Sequence, residues 1–468
     1  MRVGVIGGGM LGMAAALRLR QAGHTVVLWE RMPGLGGQAA TFPIAGTRVE
    51  FFYHHLFHSD TAITDLMDEL GVGDTLQWLP STVGMFHDGK IWPLDGARDL
   101  LKLGYISPIA RLRIGAMTAY LQLQKKYAGY ERVTAAQWIE RFTGKNGFDR
   151  VFGAQLRAKF GPSWDKIPMV WFWKKVQLRT TNRSNPLAKE TLGYPRGSFQ
   201  VVIDALDAEL RRLGVDIHLG VTVEAVQPRA DGGVMVRVDG AEQVFDVSVI
   251  TAPSAVFKRL VPELPAEYVR KLDAAGYQAA CCMLLELDRK LTDIYWLNIA
   301  DDTVPFTGVI EQTNFVPPDQ YGGSHLVYLS RYLEVTDPIW AMEQDALFQH
   351  YIPALQRINP AFDPAWVREI RVFRERAAQP IVPLHYSSLI PEMRTPLPNI
   401  YLANTTQIYP EDRGTNYSIK LGGDVADLIR DDMKQGRITP AAPTPAAADS
   451  QGAAAGGAGF SLRETDAG

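Results

Sequence analysis

Val3-Gly4-Val5-Ile6-Gly7-Gly8-Gly9-Met10-Leu11-Gly12 stands almost at the start of the chain. Residues 2–6 read as a short buried strand, residues 10–22 as a helix ended by Gly23, and residues 25–29 as a second buried strand closing on Glu30. A strand, helix and strand within about 30 residues is the unit that builds parallel sheets. In the pattern Gly7-x-Gly9-x-x-Gly12, Gly7 permits the tight turn. Gly9 lets backbone approach a pyrophosphate seated at the helix start, at Met10 and Leu11, and Gly12 lets helix and strand pack closely. Glu30 follows Gly12 by 18 residues. A carboxylate there can accept from a ribose 2′-hydroxyl and repels a 2′-phosphate, which favours FAD or NAD over NADP.

Arg31-Met32-Pro33-Gly34-Leu35-Gly36-Gly37-Gln38 comes next. A second glycine pair six residues past the acid resembles the flavin superfamily that includes amine oxidases, protoporphyrinogen oxidase and phytoene desaturases. That family usually reads acid, a few residues, Gly-Gly-Arg; here Gln38 replaces the arginine, a neutral contact for a charge-assisted one. The resemblance continues at Gly193-Tyr194-Pro195-Arg196-Gly197-Ser198-Phe199 with the helix to Leu213, followed by a strand where the backbone of Val223 would meet adenine. Val249-Ile250-Thr251-Ala252-Pro253 is similar to the strand ending near the adenosine. Asn399–Thr405, with Asn404, is similar to the strand ending under the flavin, and Arg413-Gly414-Thr415-Asn416 would open the last helix toward the isoalloxazine. The FYHH, FTGVIE and YPEDRGTN segments resemble a bacterial branch of the superfamily.

The resemblance implies FAD as cofactor, with Arg31, Gly36 and Gly37 among its contacts. It also implies an α/β chain: a discontinuous Rossmann-like FAD-binding domain from 1–75, 190–265 and 395–436, and a mixed α+β substrate domain from 76–189 and 266–394. Two departures bear on chemistry. Flavin amine oxidases often carry a lysine in a strand matching Gly276–Leu285; here that place is Ala280, with no lysine between Lys271 and Lys290. The family's Val-Asp-x-Gly-Gly segment is Val49-Glu50-Phe51-Phe52-Tyr53 here, so aromatics stand where glycines would, and the cavity there should be shaped differently.

The 468 residues suggest about three folding units. With 48 basic and 51 acidic residues, net −3, the chain is not built to grip nucleic acid. The 2 cysteines, Cys281 and Cys282, are adjacent, which excludes a disulfide framework and a cysteine zinc site and fits a reducing, cytoplasmic compartment. The glycines at 7–12 argue against a secretory leader, and no run of 18 apolar residues predicts a membrane span. Helical spacing is predicted at 60–71, 97–145, 199–213, 341–358 and 422–433. Strands are predicted at 216–219, 221–226, 234–238, 244–251, 279–287, 306–312, 326–332 and 399–403. Met169–Lys175 is an aromatic knot, and the Ala/Pro/Gly-rich stretch 437–468 reads as a disordered tail.

Glu50, Tyr53, His54, His55 and His58 form the densest set of titratable groups. His54 or His55 could move a proton while a hydride leaves, and Glu50 could orient the histidine or the cofactor. A metal site is not expected, because adjacent strand histidines face opposite ways. Arg413, in Tyr409-Pro410-Glu411-Asp412-Arg413, is a candidate for an anionic substrate or the flavin's pyrimidine edge; the plainer reading is a salt bridge inside the turn. Lys174, Lys175, Arg179 and Arg183 beside Trp171 and Trp173 read as core aromatics with a solvated basic edge; the other reading is a surface for a phosphate, a sugar nucleotide or peripheral membrane contact. The partner implied is a small-molecule substrate, oxidised at a C–H next to N or C; the sequence leaves the oligomeric state open. The alternatives are redox-neutral flavin chemistry, as in UDP-galactopyranose mutase or isomerases, and a non-catalytic dinucleotide-binding protein with Phe52 and Tyr53 blocking the site. The sequence has no second G-x-G-x-x-G for a nicotinamide, so electrons should leave to oxygen, a quinone or another acceptor.

Overall fold

A computed structural model describes residues 1–181 and 189–442. The unit predicted at the N-terminus forms as read: strand Arg2–Ile6, helix Met10–Gln21, strand Thr25–Glu30. Three further strands, Asp216–Leu219, Val247–Ile250 and Ile400–Leu402, join them in a five-stranded sheet paired parallel throughout. Arg2–Ile6 is central, and every apolar side chain from Val3 to Ile6 is buried. That continuous apolar run is what a strand covered on both faces requires.

A seven-stranded sheet packs beside it, ordered Val367–Ile381, Gly276–Leu287, His325–Leu333, Gly308–Glu311, Trp296–Ile299, Val83–His87 and Lys90–Pro93. Cys281 and Cys282 lie on its strand Gly276–Leu287 and point into two different cores, as alternation demands. Helices Ala97–Lys102, Pro108–Leu123, Ala135–Gly147 and Met169–Thr181 occupy the segment with helical spacing and the aromatic knot. Among the described residues no helix is long and apolar enough to cross a membrane.

Four expectations need correction. The single strand at 244–251 is two, Ala241–Phe245 and Val247–Ile250. Asp246 breaks it by turning to Arg2, whose backbone N–H donates to the Asp246 carboxylate at 2.6 Å and whose carbonyl accepts from Asp246 N at 2.8 Å. The strand placed at 221–226 runs instead from Val223 to Pro228.

The closing helix starts at Thr415, where the resemblance placed its opening, and not at the Gly422 that helical spacing gave, and runs to Lys434. Gly422, read as a helix start, is a contact point in mid-helix: a Cβ there would lie 2.5 Å from the Leu11 carbonyl and 2.9 Å from Ala14 Cβ. Finally, residues 437–442 of the expected disordered tail are packed. Ile438 is buried, the Thr439 carbonyl accepts from Asn399 Nδ2 (2.6 Å) and Gly233 N (2.8 Å), and Ala441 N donates to Asp246 (2.9 Å). Residues 443–468 lie outside the described part.

Gly422→Ala should destabilise by about 1–3 kcal/mol through overpacking against the first helix. Its neighbour Gly423 meets nothing within 4 Å. Gly423→Ala should therefore be neutral or stabilising, by up to about 1 kcal/mol of helix propensity. Urea midpoints of the two variants against the parent check the opposite signs.

Candidate functional site

The site is assembled at the carboxyl edge of the parallel sheet. Gly7, at φ +113°, donates its N–H to the Trp29 carbonyl at 2.8 Å, and a Cβ would lie 2.4 Å from Thr251 Oγ1. A Cβ on Gly12 would come within 1.9 Å of the Gly7 carbonyl oxygen, so the helix can cross the strand only with glycine there. Gly9 precedes the helix and no side chain caps its N–H groups. A Cβ on Gly9 would find open space except for Gly37 Cα at 3.8 Å. This is a concave, uncapped helix start of the kind that takes phosphate.

Gly36 and Gly37 both sit at positive φ, +106° and +59°. Gly36 N donates to the Gly8 carbonyl at 2.9 Å, and a Cβ on Gly37 would lie 3.0 Å from Gly9 Cα. Glu30 is buried; its two oxygens accept from Gly8 N (2.6 Å) and Met32 N (2.8 Å). The carboxylate therefore fixes the loop and keeps lone pairs for further donors. Arg31 is exposed, and Val223 is buried at the first position of its strand.

Three expected cofactor contacts carry hydrogen bonds within the scaffold. The Gln38 amide donates to the Ala377 carbonyl at 3.0 Å. Asn404 is buried with its amide donated to Ala252 O (3.1 Å) and Ser254 Oγ (3.3 Å), and its oxygen accepts from Thr406 N and Oγ1. It ties together the loops after strands Val247–Ile250 and Ile400–Leu402. The Asn416 oxygen accepts from Ile63 N at 3.1 Å, in the first turn of helix Thr61–Glu69. Gly414 and Thr415 open the closing helix, which again has no side-chain cap.

Glu50 contacts neither histidine. Tyr194 Oη and Phe199 N donate to its carboxylate at 2.9 and 2.8 Å, and Tyr328 Oη donates to its carbonyl at 2.8 Å. It is 1% exposed, and burial raises its pKa to about 7 against the hydrogen bonds that lower it. It locks three elements together and does not orient His54.

His54 Nδ1 is 2.6 Å from the Phe52 carbonyl, which can only accept, so Nδ1 carries the proton and Nε2 the lone pair. Burial takes its pKa down to about 4, below the range expected of a proton carrier at neutral pH. His55 Nδ1 pairs with Tyr295 Oη at 3.0 Å, and burial, then Arg179, take it to about 3. His58 stacks on Trp78 and meets Thr191 Oγ1 at 2.8 Å, apart from the other two. Tyr53 packs edge-on against Trp296, ring centroids 5.0 Å apart, and burial pushes its hydroxyl well above the usual range.

Arg413 is partly buried and donates from its guanidinium to Tyr332 Oη at 3.1 Å. The expected salt bridge inside the turn does not form. Asp412 instead receives Lys175 (2.7 Å) and Lys159 (3.1 Å), both from distant helices, while Lys174 pairs with Glu411 at 2.8 Å. The helix Met169–Thr181 thus pairs Lys174 and Lys175 with the Glu411–Asp412 turn, and Arg179 pairs with Glu190 at 3.2 Å. The basic edge expected there is partly exposed and ion-paired along its length; Arg183 lies outside the described residues. Lys159, Tyr332, Gln379 and Tyr194 were not singled out from sequence, because each acts only through a partner far along the chain.

The sequence model of the flavin-containing amine oxidoreductase family matches residues 11–410. The chain belongs to that family. Among curated relatives, the 15-cis-phytoene desaturase of Arabidopsis thaliana is 26% identical over 329 residues, 63% of this chain and 56% of the relative. The probable zeta-carotene desaturase of Synechococcus elongatus is 24% identical over 469 residues, 86% of this chain and 93% of the relative. Among solved structures, cyclohexylamine oxidase from Brevibacterium oxydans superposes with a TM-score of 0.66 at 14% identity, covering 92% of this chain and 99% of that one. The aligned stretch spans little more than half of the phytoene desaturase's length.

A flavin dinucleotide fits the residues of this family member: an open helix start at Gly9, a buried acid at Glu30 and a second uncapped helix at Gly414. Gly9→Ala should fold normally, since its Cβ meets nothing closer than 3.8 Å, yet lose FAD affinity by at least tenfold. Gly12→Ala should lose both fold and cofactor. Thermal melts and flavin-to-protein absorbance ratios separate the two.

A pH test follows from Glu50. Its folded pKa, about 7, lies above the ordinary 4.5, so the folded state holds the proton more tightly. Its contribution to stability therefore falls as pH rises from about 4.5 to 7, by up to about 3 kcal/mol. Glu50→Gln, which removes that ionisation, should gain stability relative to the parent between pH 5 and pH 8, read from urea midpoints at both values.

Proposed function

We propose that this protein is an FAD-dependent oxidoreductase that removes a hydride from a C–H bond next to N or C of a small organic substrate, in the oxidase or desaturase manner. The observation that carries the reading is the pair of uncapped helix starts, at Gly9 and Gly414, on one edge of the parallel sheet. When bound, the flavin supplies the hydride acceptor.

The chain's own groups do the rest. Backbone N–H groups at Gly9, Met10 and Leu11 hold the pyrophosphate, and Glu30 accepts from the ribose. Val223 supplies backbone to the adenine. The start of the closing helix, at Gly414 and Thr415, offsets negative charge at the far end of the cofactor. His54, with Nδ1 tied to the Phe52 carbonyl and its pKa taken down to about 4 by burial, stays neutral and offers Nε2 as a hydrogen-bond acceptor to the substrate, while the proton released as the new double bond forms leaves to water. Tyr53 and Trp296 shape an aromatic wall beside this position.

The purified protein should show two visible absorbance bands that bleach with dithionite under anaerobic conditions and return when an acceptor is admitted. A colourless protein that cannot be reconstituted with FAD would overturn the reading. Fast return in air marks an oxidase; slow return in air but fast return with a quinone marks a desaturase-type dehydrogenase.

A further inference from the structure

Lys159 and Lys175 come from two separated helices and converge on one carboxylate, Asp412, while the guanidinium of its chain neighbour Arg413 donates to Tyr332 Oη. Both lysines contact Oδ2, while Oδ1 is taken by Gln379 Nε2 at 2.9 Å and by Arg413 N at 3.1 Å. The next acid along, Glu411, is already paired with Lys174. Three cations thus stand near one anion whose hydrogen-bonding sites are already used. Burial pulls both lysines downward, and the lysines in turn hold Asp412 well below the usual carboxylate range. An excess of positive side chains around one carboxylate leaves the arrangement open to a further negative group.

Two more donors point the same way. Arg413 Nε and Trp171 Nε1 are sealed from solvent with no hydrogen-bond partner. Both residues line one small cavity of about 30 Å³, together with Asp412 and Gln379. The Lys159 ammonium lies 4.9 Å from the Trp171 ring and 5.7 Å from the Tyr332 ring. Tyr332, which accepts from Arg413, also lines a cleft of about 380 Å³ on the other side, with Gly161, Gln278 and Phe306. Arg413 immediately precedes the helix start at Gly414, which adds partial positive charge.

We infer that Lys159, Lys175 and Arg413, with the Trp171 indole N–H, form a subsite that binds an oxyanion of the substrate, a carboxylate or a phosphate, beside the flavin position. This rests on the flavoenzyme reading and narrows its substrate class. A protonated amine would meet three cations and be rejected, and a neutral hydrocarbon would leave the charge unbalanced. Asp412 acts here as a positioning residue that gathers the lysines.

The test uses the full-length holoenzyme, in which the cofactor already fills the pyrophosphate site. Inorganic phosphate and benzoate are titrated separately at constant ionic strength against chloride, with visible-band perturbation and melting temperature as readouts. Saturable binding of phosphate or of benzoate is expected, and the stronger of the two identifies the source of the oxyanion. Lys175→Met, which leaves Asp412 paired to Lys159, should weaken that binding at least tenfold while the visible spectrum is retained. Trp171→Phe, which keeps the ring and deletes the donor, should weaken it severalfold. No saturable effect of either anion beyond chloride, or parent-like affinity in Lys175→Met, would overturn the inference. A protein without flavin bands would instead overturn the cofactor reading, and the benzoate melting comparison of parent and Lys175→Met would still decide the subsite.

Discussion

Backbone lies against backbone at the carboxyl edge of the parallel sheet, and the remainder of the molecule is arranged around that contact. Gly12 crosses over the Gly7 carbonyl, Gly37 faces Gly9, and Gly36 N bonds to Gly8 O. Any Cβ at Gly12 would separate the first helix from its strand. Because the glycines remove side chains from this edge, a helix start is left open where a phosphate needs N–H groups. Glu30 adds the restraint that makes the opening rigid, since its carboxylate binds the loop on both sides, at Gly8 and Met32.

The second helix start, at Gly414, is brought to the same edge by a contact of the same kind. Gly422 lets the closing helix press onto the Leu11–Ala15 face of the first helix, so the two helices share one geometry. Asn416 and Asn404, expected at the cofactor, serve as joints of the scaffold. Asn416 completes the hydrogen bonding of helix Thr61–Glu69, and Asn404 ties two strand-end loops together. Both are short polar side chains among unpaired backbone groups, and satisfying those groups is a stronger demand than waiting for a ligand.

The polar groups in front of the proposed flavin position divide into two kinds. The histidines are kept neutral by burial, and Glu50, held by Tyr194 and Phe199 N with its pKa raised to about 7, is only partly ionised at neutral pH. On the other side stand the charged Lys159 and Lys175, gathered by Asp412, and its chain neighbour Arg413. A substrate placed between them would meet aromatic surface at Tyr53 and Trp296 and a positive end at Arg413.

The sequence by itself determined the parallel-sheet core, the glycine turn and the acid after it, because these depend on local periodicity and on residues a fixed short distance apart. It also determined the family, through segments that recur in order. Helical spacing alone started the closing helix late, at Gly422, and read 244–251 as one unbroken strand, since Gly422 and Asp246 make sense only against Leu11 and Arg2. The tertiary structure alone decided that the basic residues of helix Met169–Thr181 pair with distant acids, that Lys159 joins them, and that Glu50 serves Tyr194 rather than His54. Each of these pairs residues more than a hundred positions apart or reverses which face of a helix is solvated. Charge and periodicity along one segment carry no information about the partner that folding brings to it.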